Sequence, residues 1–213
     1  MINTIITTSI LCLVDKILTK NNIKGQYYFN HFIVNSLIVF STYNDVILSY
    51  TNFDNILDIG VNTTAVEYTF AIHLYHIIMY YNKFLFDDWL HHIVMIFFTL
   101  PMGLYFNCGP IMGHSLFFLT GLPGGINYLL LFLQRNNLIE KKTQKYYNYQ
   151  LNIWIRQPGC IATSTLTLLY LNKYVNKDDL ISIFFSAYIG ISQYWNGIYF
   201  MEQVVRNYNI LYR

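Results

Sequence analysis

The residues with the most chemistry to offer lie in one stretch, His73-Leu-Tyr-His76-Ile-Ile-Met-Tyr-Tyr-Asn-Lys-Phe-Leu-Phe-Asp87-Asp88-Trp-Leu-His91-His92, set in otherwise apolar surroundings. Polar groups of this kind are costly in a low-dielectric setting and mark a site when they recur together. Adjacent residues of a helix point about 100° apart. One imidazole of the His91-His92 pair therefore faces a cavity while the other braces a neighbouring helix. Asp88 stands three and four residues before them, on the same side, placed to fix an imidazole's tautomer and orientation. A mostly neutral imidazole held this way accepts a proton from an amine or hydroxyl nucleophile. We take His91, His92 and Asp88 as candidate catalytic residues, and Asp87 as a helix cap. His73 and His76, three apart, share a helix face.

Metal binding is the competing chemistry, because four histidines on two neighbouring helices offer three or four nitrogen ligands. Membrane di-iron oxygenases carry more histidines, arranged in HxxxH and HxxHH boxes. This chain has six histidines and no HxxHH box, and we assign no metal.

The elements that must position these groups follow from composition. Of 213 residues, 54% are hydrophobic and 11% charged, against roughly a quarter charged in soluble domains. Mean hydropathy is +0.34. Apolar blocks of about 17 to 25 residues alternate with short polar segments, the pattern of a polytopic helical membrane protein. A net charge of +2 without an exposed basic run argues against nucleic acid. Cys12, Cys108 and Cys160 are odd in number and widely spaced, which supports neither a disulfide framework nor a CxxC zinc site.

Six or seven spans are predicted. A short segment at 1–18 comes first, then helices at about 27–50, 65–82, 88–106, 110–133, 151–172 and 179–204. Asn107-Cys-Gly-Pro110 reads as a turn, and Pro123 with Gly124 and Gly125 as a kink or break in the fifth helix. Lys16, Lys20, Lys24, Lys83, Arg135, Lys141, Lys142, Lys145, Arg206 and Arg213 fall on one side of this arrangement, which makes that side cytoplasmic. The loop 51–64, with the sequon Asn62-Thr63-Thr64, is then lumenal. We divide the chain into an N-terminal segment and basic connector (1–24), a helical bundle (25–205) and a cytoplasmic tail (206–213).

At 1.5 Å per residue, His31, His76, His91, His92, Asn127, Arg156 and Asn196 come out at similar depths, roughly 6–12 Å below the cytoplasmic face. The expected object is a polar pocket opening to the cytoplasm, with an apolar upper wall from Met95, Ile96, Phe97, Phe98, Leu100, Leu116, Phe117 and Phe118. It suits a molecule with a polar head and a long tail, a membrane lipid or acyl chain. His31, His76, Asn127 and Arg156 are candidate substrate contacts. His114, toward the far side, reads as structural, and the many tyrosines as interface or packing residues.

The order of these features resembles the TLC family, named for translocating-chain-associated, longevity-assurance and ceroid-lipofuscinosis proteins. The likeness covers about residues 25–205. It rests on Asp87-Asp88-Trp89-Leu90-His91-His92, on Pro123 with Asn127 after it, on Arg156, and on Gln193-Tyr194-Trp195 near the end. Phe118-Leu119-Thr120-Gly-Leu-Pro123 lacks the glutamate often found before the family's Ser/Thr-Pro. The longer acidic signature of ceramide synthases is also missing. The resemblance implies a bundle around a lipid cavity in the endoplasmic reticulum or a related endomembrane, and adds Trp195 to the substrate contacts. It also implies acyl-CoA-dependent acyl transfer to an amine or hydroxyl lipid. Acyl-CoA would be co-substrate, its phosphates meeting Arg156 and the cytoplasmic lysines, with no bound cofactor. A non-catalytic lipid-binding or lipid-regulating protein is the alternative within the same family.

Overall fold

The computed structural model describes the backbone of residues 2–105 and 108–212, and side chains as far as residue 210. Asn107, the first residue of the turn expected at 107–110, lies outside the described residues. Of the described residues 88% are helical and none forms a strand, as the apolar blocks require. Seven rods account for them. α1 is Ile2–Lys20 and α2 is Gln26–Thr51; after a short 3₁₀ turn, Phe53–Asp58, α3 is Thr63–Tyr80. α4 joins Phe86–Val94, Met95–Thr99 and Leu100–Tyr105, and α5 joins Ile111–Leu116, Phe117–Gly121 and Leu122–Arg135. α6 joins Lys141–Leu151, Asn152–Arg156 and Gln157–Tyr174, and α7 is Leu180–Tyr212. Three of the rods, α1, α2 and α5, are long and apolar enough to cross a membrane.

The three composite rods share one local cause. In each, a π turn ends two residues before a proline: Met95–Thr99 before Pro101, Phe117–Gly121 before Pro123, and Asn152–Arg156 before Pro158. The residue ahead of each proline donates to the carbonyl five back, Leu100 to Met95, Leu122 to Phe117 and Gln157 to Asn152. A proline ring clashes with the carbonyl four residues before it and supplies no N–H. Widening the turn by one residue relieves the clash and keeps the flanking bonds. The break expected at Pro123 is therefore a widened turn in a continuous rod, and the same device recurs at two prolines that sequence reading passed over.

Gly124 and Gly125 serve close helix contact. A Cβ on Gly124 would stand 2.9 Å from Asn35 Nδ2, and one on Gly125 would stand 3.4 Å from Asn35 Cβ. They seat α5 against α2, where Thr120 Oγ1 donates to Asn35 Oδ1 at 3.0 Å. The neighbouring hollow, lined by Phe32, Val39, Phe40 and Ile126 among others, is a shallow groove of about 140 Å³.

α1 packs along α3 through polar contacts inside an apolar interface. Thr8 Oγ1 reaches Ala71 O at 3.3 Å, and buried Asp15 accepts from Tyr75 at 2.5 Å and Tyr80 at 2.6 Å. Leu11, Val34, Ile38, Val66, Ile72 and Tyr75 form the adjoining core. The segment 1–20 is thus built into the bundle.

α6 begins ten residues before the expected 151 and α7 runs on to Tyr212, so residues 206–212 continue a helix. α6 and α7 are each roughly 50 Å long at 1.5 Å per residue. The start of α6 meets the end of α7, where Tyr149 stacks on Tyr208 with ring centres 4.5 Å apart.

Candidate functional site

The connectors α1–α2, α3–α4 and α5–α6 gather at one end of the bundle. Gly25, in a left-handed conformation (φ 81°) at the start of α2, lets the chain turn there against Arg135. Asn136 fastens the first connector to the third, accepting from Lys24 N–H at 3.2 Å and donating to Lys24 O at 2.8 Å. Between them opens a cleft of about 600 Å³ lined by Lys24, Lys83, Arg135, Tyr27, Tyr28, Tyr80, Phe84, Asp88 and His92, among others. Three of the ten cations that sequence placed on a single side, Lys24, Lys83 and Arg135, thus line one opening.

Beneath the cleft five imidazoles from three helices are in contact. His31 comes from α2, His73 and His76 from α3, and His91 and His92 from α4. Ring centres lie 4.6 Å apart for His31 and His76, 5.3 Å for His76 and His92, and 5.2 Å for His73 with either His91 or His92. Tyrosines and a phenylalanine enclose them. Tyr128 stacks on His31 at 3.9 Å, Tyr27 on His76 at 4.6 Å, and Phe84 on His92 at 4.6 Å. His73 and His76 share the inward face of α3, so their spacing of three residues was informative. His92 is buried and His91 stands at the exposed edge, the division of labour that 100° of helical rotation predicts.

Hydrogen bonding within the cluster is incomplete. His73 Nδ1 lies 2.7 Å from Thr69 O, an acceptor only, so this nitrogen carries the proton and the lone pair of the neutral ring is on Nε2. That atom faces His91 Nε2 at 3.3 Å. His31 Nε2, His76 Nε2 and His92 Nδ1 are buried with no protein partner.

Asp88 has a different part from the one expected. Its Oδ2 accepts from the backbone N–H of Leu85 at 2.9 Å, so Asp88 caps α4, the role sequence gave to Asp87. Its charge still acts on His91 and His92 through space.

The expected polar layer divides. His31, His76, His91 and His92 come together. Asn127 instead accepts from Gln144 at 2.8 Å, fastening α5 to the α6 extension. Arg156 sets its guanidinium 4.4 Å from the Phe200 ring centre, with Nε buried and unpartnered, and acts electrostatically on Tyr128. Trp195, 67% exposed and stacked on Tyr199, lies on the outer surface of α7 away from the cluster. Phe97 and Phe98 also face outward, at 69% and 52% exposure, while Leu100 and Leu116 are core residues. The apolar upper wall is thus distributed between the outside of the bundle and its interior.

Sequence reasoning missed the tyrosine shell and Asp15. Tyrosine is too common in this chain to stand out, but a lone carboxylate in the apolar first segment was a usable signal. Asp15 holds Tyr80 in the wall of the cleft.

Compared with known proteins, the chain matches no family model, no curated protein and no solved structure.

Proposed function

We propose that the chain is a multi-pass membrane protein with six or seven spans that acts on lipids at the histidine cluster, of the TLC type and resident in the endoplasmic reticulum or a related endomembrane. One observation carries the reading. Five contacting imidazoles, three of them with orphaned buried nitrogens, lie under a cleft ringed by Lys24, Lys83 and Arg135. Unsatisfied buried polar atoms cost about 1–3 kcal/mol each, and a cluster of them persists where function needs it. The cations suit a phosphate-bearing head and the tyrosines an amphipathic molecule at the interface.

The chemistry that fits is acyl transfer from an acyl-CoA thioester. A neutral imidazole of the His91-His92 pair takes the proton of an amine or hydroxyl lipid as its lone pair attacks the thioester carbon. The C–S bond breaks as the C–N or C–O bond forms, and the proton leaves with the CoA thiolate. His92, the only histidine lining the cleft, is the better placed to meet substrate.

A second reading, a non-catalytic lipid-binding or lipid-regulating protein, is favoured by Asp88, whose carboxylate is committed to its helix cap rather than to an imidazole. The test is purified protein offered acyl-CoA and a broad panel of amine and hydroxyl acceptors, with lipidomics of cells expressing the chain. Product that disappears in the His91 and His92 variants supports catalysis. Lipid binding without turnover in the wild type supports the second reading.

A further inference from the structure

Three of the imidazoles lie close enough together to share one ion. One ring nitrogen from each of His73, His91 and His92 lies within 4.8 Å of the others. The closest pair, Nε2 of His73 and Nε2 of His91, is 3.3 Å apart. Two imidazole nitrogens bound to one tetrahedral zinc-class ion stand roughly 3.3–3.4 Å apart, given Zn–N bonds of about 2.0–2.1 Å. The spacing across α3 and α4 is therefore that of a tetrahedral edge.

The protonation pattern agrees. Thr69 O takes the Nδ1 proton of His73 at 2.7 Å, which directs a lone pair from Nε2 toward His91. A ligand histidine almost always has its far nitrogen hydrogen-bonded to a carbonyl or carboxylate in this way. His92 is 95% buried by its 5% exposure, and its Nδ1 has no protein partner. His91, at the exposed edge, offers a path for an ion to reach the site, and His92 borders the cleft, so the remaining coordination position would open toward substrate.

We propose that His73, His91 and His92 form a three-imidazole site for a divalent first-row transition ion, zinc by its preference for nitrogen ligands and four-coordination. Three neutral ligands leave the ion's charge of two uncompensated. An anion completes it from the cleft, either hydroxide or the phosphate or carboxylate of a lipid. The site uses the histidines of the reading above but does not depend on lipid turnover. If both hold, His73, His91 and His92 would serve as ligands rather than as the base, and the ion would supply hydroxide chemistry in their place.

Co²⁺ titration of the full chain in detergent, purified through a histidine-free affinity tag, tests this. The expected result is one saturable equivalent, visible d–d bands of a four- or five-coordinate ion, and displacement by Zn²⁺. His91→Ala, at the exposed edge, should weaken Co²⁺ by more than about 100-fold, above the cost of losing a mere supporting partner. Should that variant fold poorly, chelation of the wild type serves, with Tm expected to fall and to recover on adding Zn²⁺. Absence of a saturable spectrum in the wild type, or full binding by folded His91→Ala, overturns the site and leaves the contact an imidazole–imidazole hydrogen bond. Metal content is read separately from product, so this site and the acyl-transfer reading fail independently.

Discussion

His114 and the cluster around His73 are built from the same side chain and have opposite designs. His114 is fully buried between α2, α5 and α6, and both of its ring nitrogens are satisfied. Thr163 Oγ1 donates its own proton to Gly159 O at 2.9 Å, so it accepts from His114 Nδ1 at 2.8 Å. The lone pair then sits on Nε2 and accepts from Tyr50 OH at 2.9 Å. His73 has the same tautomer, but its lone pair meets another imidazole nitrogen. A histidine whose two nitrogens both find complementary partners stabilises the fold. One whose nitrogens face each other is held in place by the rest of the structure for a use that the fold itself does not supply.

The comparison breaks most visibly through activity. His92→Ala should reduce product formation about 10²- to 10⁴-fold, the usual loss with a general base, while size-exclusion and circular dichroism profiles stay native. Asp88→Asn should do less, because an amide oxygen still accepts from Leu85 N–H. Wild-type activity in folded His92→Ala would remove the functional side of the contrast.

Stability should show the reverse order. His114→Ala deletes two buried hydrogen bonds and leaves a hole, and should cost about 2–4 kcal/mol in reversible unfolding from mixed micelles. A cost below that of His92→Ala would mean that the two regions do not divide as argued.

Replacing histidine by phenylalanine sharpens the point. His31→Phe keeps the stack on Tyr128 and removes the orphaned Nε2. It should leave Tm unchanged or raise stability by about 1 kcal/mol, whereas His114→Phe lowers it. A drop in both would indicate a hidden partner for His31.

The smallest effect belongs to the rim. Lys83→Gln with Arg135→Gln should weaken binding of anionic-lipid nanodiscs roughly fivefold per charge and flatten its salt dependence, from about 1 kcal/mol per basic residue at an anionic surface. Unchanged binding would mean that the cleft takes a neutral head.

Axial information was legible in the residues. Helix existence and type followed from apolar block length, and the basic connectors at one end followed from counting Lys and Arg. The meeting of His31, His76, His91 and His92 followed from depth along each helix at a constant rise per residue. Asp88 was misassigned because the acceptor of Leu85 N–H depends on where α4 begins, and it begins at Phe86, two residues earlier than the pattern suggested.

Rotation about each helix axis was decided only by the tertiary structure. Water marks the outward face of a soluble helix by polarity, but a helix surrounded by hydrocarbon is apolar both outside and in, so the contrast that sets its phase is faint. Phe97 and Phe98, expected in the wall of a pocket, therefore face outward instead. The π turns compound this, since each inserts one residue and turns everything beyond it by roughly 100° relative to an unbroken helix. Sequence by itself drew His31, His76, His91 and His92 to one level. Contacts between helices determined which of them touch, and which imidazole nitrogens remain free to bind.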